Sequence, residues 1–209
     1  MDLTSLKNLA SRQWRDYQWG TPGTAFADPE LILTLEEAYN VQMEFAGLRC
    51  AAGDAIAGYK VGCIGPGVVE QFGMSGPIHA RLFRSEMHCS GKTLQYDAYA
   101  TPAIEGEMAL RIGIDGGIAA AFPVIELHQF VFRAPRKTLA ELVANNGINA
   151  GAVIQISKRR HSRIGQTPTP CPFPSTARPW IRERYGPWPA VPRRLSSGFA
   201  MISVVSARL

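Results

Sequence analysis

Residues 104–114 read IEGEMALRIGI, and apolar and polar side chains alternate along them. A period of two predicts a β-strand with one apolar and one polar face. Ile104 and Met108 belong to the apolar face, whereas Glu105 and Glu107 belong to the polar face. Asp115 and the two glycines after it predict the turn that ends this strand.

Three glutamates are candidate ligands for a metal ion. Glu105 and Glu107 project side by side from the predicted strand, and neighbouring carboxylates repel each other unless a cation or a proton lies between them. Glu126 lies in the next apolar stretch, which is a predicted neighbouring strand. Three carboxylates would supply the oxygen ligands that suit Mg²⁺ or Mn²⁺. The alternative for the first pair is a solvated strand face, and for Glu126 it is a salt bridge to Arg111 or Arg133.

Lys60 and His128 also lie in apolar, strand-like stretches. Because an unpaired ammonium is costly to bury, Lys60 is either an edge-strand side chain that reaches solvent or a partner for the acidic cluster or a substrate carboxylate. His128 is two residues from Glu126 and therefore shares its strand face. A histidine at this position either completes a polar core or donates a hydrogen bond that orients a metal ligand.

Helices are predicted at both ends of this strand-rich region. Residues 2–19 form one helix, and a second lies between Thr34 and Gly53. Thr34 and Glu37 match a capping box, and a glycine is the usual residue after a helix end. Residues 138–144 predict a further short helix. We assign these helices to packing and not to chemistry.

The bulk composition is that of an ordinary globular protein. The chain has 209 residues, of which 46% are hydrophobic and 19% are charged, and this is enough for one substantial core. We expect no membrane helix, because no apolar run is long enough, and the N-terminus lacks the pattern of a secretion signal. The four cysteines are widely spaced without a Cys-x-x-Cys pair, which argues against a zinc site and favours the cytoplasm.

The C-terminal quarter differs sharply in composition. Residues 155–209 hold ten of the 22 Lys and Arg residues, a single acid, Glu183, and eight of the 15 prolines. A basic segment can bind nucleic acid, but this one has no amphipathic period, no aromatic spacing and no nucleic-acid motif. We interpret it as a divergent tail that is either translated out of frame or disordered.

An ordered set of short motifs resembles the fumarylacetoacetate hydrolase superfamily, and within it the branch of 2-keto-4-pentenoate hydratases and 4-oxalocrotonate decarboxylases. The motifs are EEAY and VQ within 36–42, AGYKVG at 57–62, FG at 72–73, PAIEGEMAL at 102–110, PVIEL at 123–127 and ANN at 144–146. They cover about residues 30–154. Each motif is weak by itself, whereas their order along the chain is specific.

The resemblance implies an α+β fold of the fumarylacetoacetate hydrolase type. N-terminal helices in residues 1–55 would precede a mixed β-roll in residues 56–154, which is the catalytic core. Because residues 155–209 do not resemble the strands that close this roll, we expect the roll to be incomplete at its C-terminus. Members of the superfamily often form oligomers, which makes a homo-oligomer an expectation for this chain.

The resemblance also implies the site residues. Mg²⁺ or Mn²⁺ would be held by Glu105, Glu107 and Glu126. Lys60 would be the active-site lysine, which orients the substrate carboxylate or moves protons. Asn146 would bind the substrate, a small 2-oxo acid. The reaction implied is the addition of water to a short unsaturated 2-oxo acid in the breakdown of aromatic compounds, with decarboxylation and C–C hydrolysis as other reactions of the superfamily.

The chain departs from the family pattern around the site. Residues 77–80 read PIHA where the hydratases carry Pro-Asp-Phe-Gly, so a proton-transferring aspartate is missing. Asn145 replaces another aspartate, and the stretch between Glu107 and Glu126 is short. Two functions therefore remain open: a metal-dependent hydratase-type lyase, or a catalytically inert, truncated relative that acts as a structural or binding protein.

Overall fold

The computed structural model describes residues 1–20, 24–26, 28, 30–63, 77–113, 115, 117–131 and 138–155, and the backbone of 199–200. The interpretation of the tail falls almost entirely outside these residues, as does Arg133. No helix within the described residues is both long and apolar enough to cross a membrane.

Two N-terminal helices form where the sequence predicts them. Helix α1 spans Leu3–Trp19 and ends at Gly20, whose φ of 61° is the left-handed conformation that glycine adopts without strain. Helix α2 spans Leu35–Ala51, and both hydrogen bonds of the predicted capping box between Thr34 and Glu37 are present. These local predictions are confirmed because capping depends on residues three or four positions apart.

The strands within the described residues form two sheets. Their bounds are β1 Ile56–Gly62, β2 Ile78–Phe83, β3 Met87–Cys89, β4 Pro102–Ile112, β5 Ile118–Gln129, β6 Asn149–Ile154 and β7 Phe199–Ala200, with α3 at Leu139–Ala144. Strands β1 and β2 form an antiparallel pair, and the second sheet has the order β3-β6-β5-β4-β7. Only β3 and β6 run parallel among the described pairs, so this sheet is mixed. The predicted α+β class is confirmed, and the β-roll stays a prediction.

The register of β4 and β5 decides which side chains meet. Glu105 lies directly opposite Glu126, and Glu126 in turn lies opposite Ala152 of β6. The same face carries the buried side chains of Val124 and Ala109, which pack with Leu82 of β2. The face that carries the carboxylates is therefore turned towards the β1 and β2 pair, where Glu126 is buried and Glu105 stays exposed.

A buried glutamine of α2 links this helix to β2 and to the end of α3. Gln42 of α2 donates to the carbonyl of Val143 at 2.9 Å and to that of His79 at 3.1 Å. Its Oε1 accepts a hydrogen bond from Arg81 Nη1 at 2.7 Å. Because Gln42 is completely buried, these bonds fix the position of β2 relative to α2 and the end of α3.

His79 gives the folded protein a predicted pH dependence. Its ring stacks on Tyr39 with centroids 4.3 Å apart, and burial together with the charge of Arg81 lowers the pKa of His79 to about 4. The unfolded chain therefore binds the proton more tightly than the folded protein does. The contribution of His79 to the free energy of unfolding is therefore complete above the ordinary pKa of 6.5 and is lost as the pH falls towards 4. After a discount for partial solvent exposure, we expect a loss of about 1–2 kcal/mol.

Urea unfolding at several pH values measures this effect. His79→Phe keeps the stacked ring and should remove this part of the pH dependence, whereas Tyr39→Phe keeps the histidine and should retain it. Equal pH profiles for the unmodified protein and His79→Phe would contradict the assignment.

Candidate metal centre

Three side chains on β4 and β5 converge. Glu105, Glu126 and His128 each offer one ligand atom, and these atoms lie within 4.8 Å of one another. Strand geometry explains this, because Glu105 is opposite Glu126 and His128 follows Glu126 by two positions on the same face. Glu126 and His128 are buried, whereas Glu105 is exposed. The group could hold a cation that is reached from the side of Glu105.

Glu107 flanks this group and does not belong to its compact set of ligand atoms. The side chain is buried, and its Oε2 has no hydrogen-bond partner within the described part of the chain. Burial raises the pKa of Glu107, and the negative charges of Glu126 and Glu105 raise it further. The structure thus brings two of the three predicted carboxylates together with a histidine and leaves the third beside them.

Lys60 places a buried ammonium group against Glu126 and His128. Its Nζ lies 2.6 Å from Glu126 Oε1 and 3.3 Å from His128 Nε2, and it donates to the carbonyl of Gly147 at 3.0 Å. Only 3% of Lys60 is exposed, so the interpretation as an edge-strand lysine that reaches solvent is wrong. Although burial raises the pKa of Glu126, the charges of Lys60 and His128 lower it to about 2. The salt bridge of Glu126 is therefore made to Lys60, and not to Arg111.

Asn146 holds the backbone beside this cluster. Its Oδ1 accepts a hydrogen bond from the amide of Arg81, and its Nδ2 donates to the carbonyl of Arg81, both at 2.8 Å. Its amide group thus joins the turn after α3 to β2. The predicted role of Asn146 in binding substrate stays a prediction.

Gly147 is a site residue that the sequence analysis missed. It adopts a φ of 59°, and a Cβ at this position would lie 3.2 Å from Ala80 Cβ and 3.5 Å from Lys60 Cε. Glycine is therefore the residue that allows its carbonyl to approach the lysine. The signal was present as an Asn-Asn-Gly sequence, which we interpreted only as the end of a helix.

No family model matches the chain. Among curated proteins, it is 25% identical over 141 residues to 2-oxo-hept-4-ene-1,7-dioate hydratase of Escherichia coli, which is 58% of this chain and 52% of the relative. It is 33% identical over 84 residues to 2-keto-4-pentenoate hydratase of Paraburkholderia phymatum, or 40% of this chain and 31% of the relative. The chain thus spans about half the length of the first of these relatives and about a third of the second.

Solved structures show the same fold. Two structures of 4-oxalocrotonate decarboxylase from Pseudomonas putida match with TM-scores of 0.66 and 0.64 at 20% and 21% identity. Each covers 73% of this chain, and the matched parts are 63% and 62% of the decarboxylase chains. One is complexed with magnesium and adipate, and the other with calcium and acetate. The relatives support the predicted branch of hydratases and decarboxylases, and the superfamily assignment stays a prediction.

Proposed function

We propose that this protein is a hydratase-type lyase that adds water to a short, unsaturated 2-oxo acid and uses Mg²⁺ or Mn²⁺ as its cofactor. The observation that carries the proposal is the convergence of Glu105 and Glu126, with Glu107 beside them, on one partly open face. The named relatives, two hydratases and a decarboxylase, supply the substrate class.

The residues present fit a hard divalent cation. Glu105 and Glu126 converge with Glu107 beside them, the ammonium of Lys60 pairs with Glu126, and the buried Oε2 of Glu107 has no hydrogen-bond partner in the described part of the chain. Carboxylate oxygens are the ligands that Mg²⁺ and Mn²⁺ prefer. Glu105, Glu107 and Glu126 would hold the ion, which when bound polarises the 2-oxo group of the substrate.

Lys60 would bind the substrate carboxylate and move protons at Nζ. The Gly147 carbonyl and Glu126 hold Nζ inside the cluster. From this position the ammonium would donate hydrogen bonds both to the carboxylates that hold the cation and to the bound 2-oxo acid. The position that carries aspartate in the hydratases is the buried Ile78, which cannot transfer a proton. Proton delivery to one alkene carbon, while water adds its hydroxyl to the other, therefore depends on Lys60. Asn146 supports it by fixing the adjacent turn.

A catalytically inert relative is the second candidate. The observation that favours it is the ion pair between Lys60 and Glu126, which neutralises the most buried carboxylate of this cluster without a metal. The melting temperature separates the two candidates, because a bound ion and a bound 2-oxo acid each raise it by mass action. A melting temperature that does not respond to Mg²⁺, Mn²⁺ and pyruvate would support the inert relative.

Replacing Glu105 with glutamine is expected to weaken Mn²⁺ binding at least about tenfold, because it removes one charged ligand. Since Glu105 is exposed, the free energy of unfolding of the metal-free protein should change by less than about 0.5 kcal/mol. Titration followed by the electron paramagnetic resonance signal of free Mn²⁺ gives the affinity.

Glu36→Gln is the matched control for this experiment. Glu36 is an exposed glutamate on α2, outside the cluster, so the same change of charge should leave the affinity for Mn²⁺ unaltered. If both variants bind Mn²⁺ as the unmodified protein does, Glu105 is not a ligand.

A further inference from the structure

His128 has two neighbours that make opposite demands on the same nitrogen. Its Nε2 lies 3.1 Å from Glu126 Oε2 and 3.3 Å from Lys60 Nζ. A carboxylate only accepts hydrogen bonds, and an ammonium only donates them. If Nε2 carries a hydrogen, it donates to Glu126 but faces the ammonium. If Nε2 carries none, it accepts from Lys60 but turns its lone pair towards the carboxylate.

A divalent cation beside Nε2 removes the conflict between the ring nitrogen and the carboxylate. The lone pair of Nε2 and the carboxylate of Glu126 can then both point at the ion. Ligand atoms lie about 2.0–2.2 Å from such an ion, so two of them are at most about 4.4 Å apart. The three ligand atoms of this group lie within 4.8 Å of one another, so small side-chain movements bring them into range.

We infer that His128 is a nitrogen ligand of the cation, together with Glu105 and Glu126, and that the site therefore prefers a transition-metal dication such as Fe²⁺ or Ni²⁺ to Mg²⁺. The inference rests on the proposed function in that both place a cation in this cluster. Imidazole suits iron, nickel, copper and zinc, whereas Mg²⁺ and Mn²⁺ prefer carboxylate, carbonyl and water oxygens. The buried, unpartnered Oε2 of Glu107 is an independent indication that the cluster takes a ligand, within the described part of the chain.

Pulsed electron paramagnetic resonance of the full chain loaded with Mn²⁺ alone tests the inference. A coordinated imidazole couples to the electron spin, and we expect this nitrogen signal in the unmodified protein. Isotope-labelled histidine should change the signal, which identifies histidine as its source without any substitution. The experiment therefore remains decisive even where a variant fails to fold.

Two variants assign the signal to a residue. His128→Gln should lose the nitrogen signal and reduce the preference for Ni²⁺ over Mg²⁺ by about tenfold. His88→Gln is the matched control, because His88 lies on β3 opposite Val153, on the other face of the sheet from Glu126, and it should retain both properties.

The outcomes separate this inference from the proposed function. Mn²⁺ that binds without histidine coupling, and whose affinity falls in Glu105→Gln, would overturn the role of His128 and leave an all-carboxylate centre. A protein that binds neither Mn²⁺ nor Mg²⁺ would overturn both proposals.

Discussion

Replacing Glu126 with glutamine is expected to lower the free energy of unfolding of the metal-free protein by about 3–5 kcal/mol, because the ammonium of Lys60 then stays buried without its counter-charge. Only 2% of Glu126 and 3% of Lys60 are exposed, and their charged atoms lie 2.6 Å apart. Glu107 also interacts with the charge of Lys60, which places the expected loss near the lower end of this range. Urea unfolding in the presence of a chelator measures it.

Two further variants test whether the loss comes from the buried charge. In Lys60→Met/Glu126→Gln the ammonium is gone, so we expect at least half of the lost stability to return. Glu105→Gln makes the same chemical change directly across the strand pair at an exposed position and should cost little. Equal losses for Glu126→Gln and Glu105→Gln would show that the ion pair is not a buried one.

The three carboxylates show what an alternating strand pattern can predict and what it cannot. The alternation in residues 104–114 predicted correctly that Glu105 and Glu107 share a face, because side-chain direction along a strand is a local property. It could not predict that Glu105 lies opposite Glu126. That register depends on the turn between the strands and on the irregularity at Arg111 and Ile112, and a slip of one residue would move Glu126 to the other face.

The environment of Lys60 depends on contacts that are distant in sequence. Whether a strand lysine reaches solvent or is buried is decided by what packs over it, here Glu126 and the Gly147 carbonyl, 66 and 87 positions away. For the same reason, the sequence alone does not decide between the two interpretations of His128. The helix ends at Thr34 and Gly20 were predictable because capping involves only near neighbours. Closure of a β-roll depends on strand pairs that are still more distant in sequence, and no local pattern in a single sequence predicts these pairs.

Gly151→Ala is expected to destabilise the protein by about 2–6 kcal/mol, since two independent costs combine. Gly151 has a φ of 114°, where a residue with a Cβ is strained by about 1–3 kcal/mol. The added Cβ would also lie 2.1 Å from the carbonyl oxygen of Glu86 and 2.7 Å from its Cβ, and overpacking of this kind costs about 1–3 kcal/mol. Because the close atoms are largely backbone, β6 can relieve the clash only by moving.

A displacement of β6 would also change the candidate metal centre. Gly151 pairs with Leu127, and its neighbour Ala152 pairs with Glu126, so a displaced β6 shifts the strand that carries the buried carboxylate. Gly151→Ala should therefore weaken Mn²⁺ binding as well as stability. Gly106→Ala is the matched control on β4, where no atom lies within 4 Å of the added Cβ, so its effect on stability should stay within about 1 kcal/mol. If both glycine variants unfold at the same urea concentration, the close approach of β6 to Glu86 does not exist in solution.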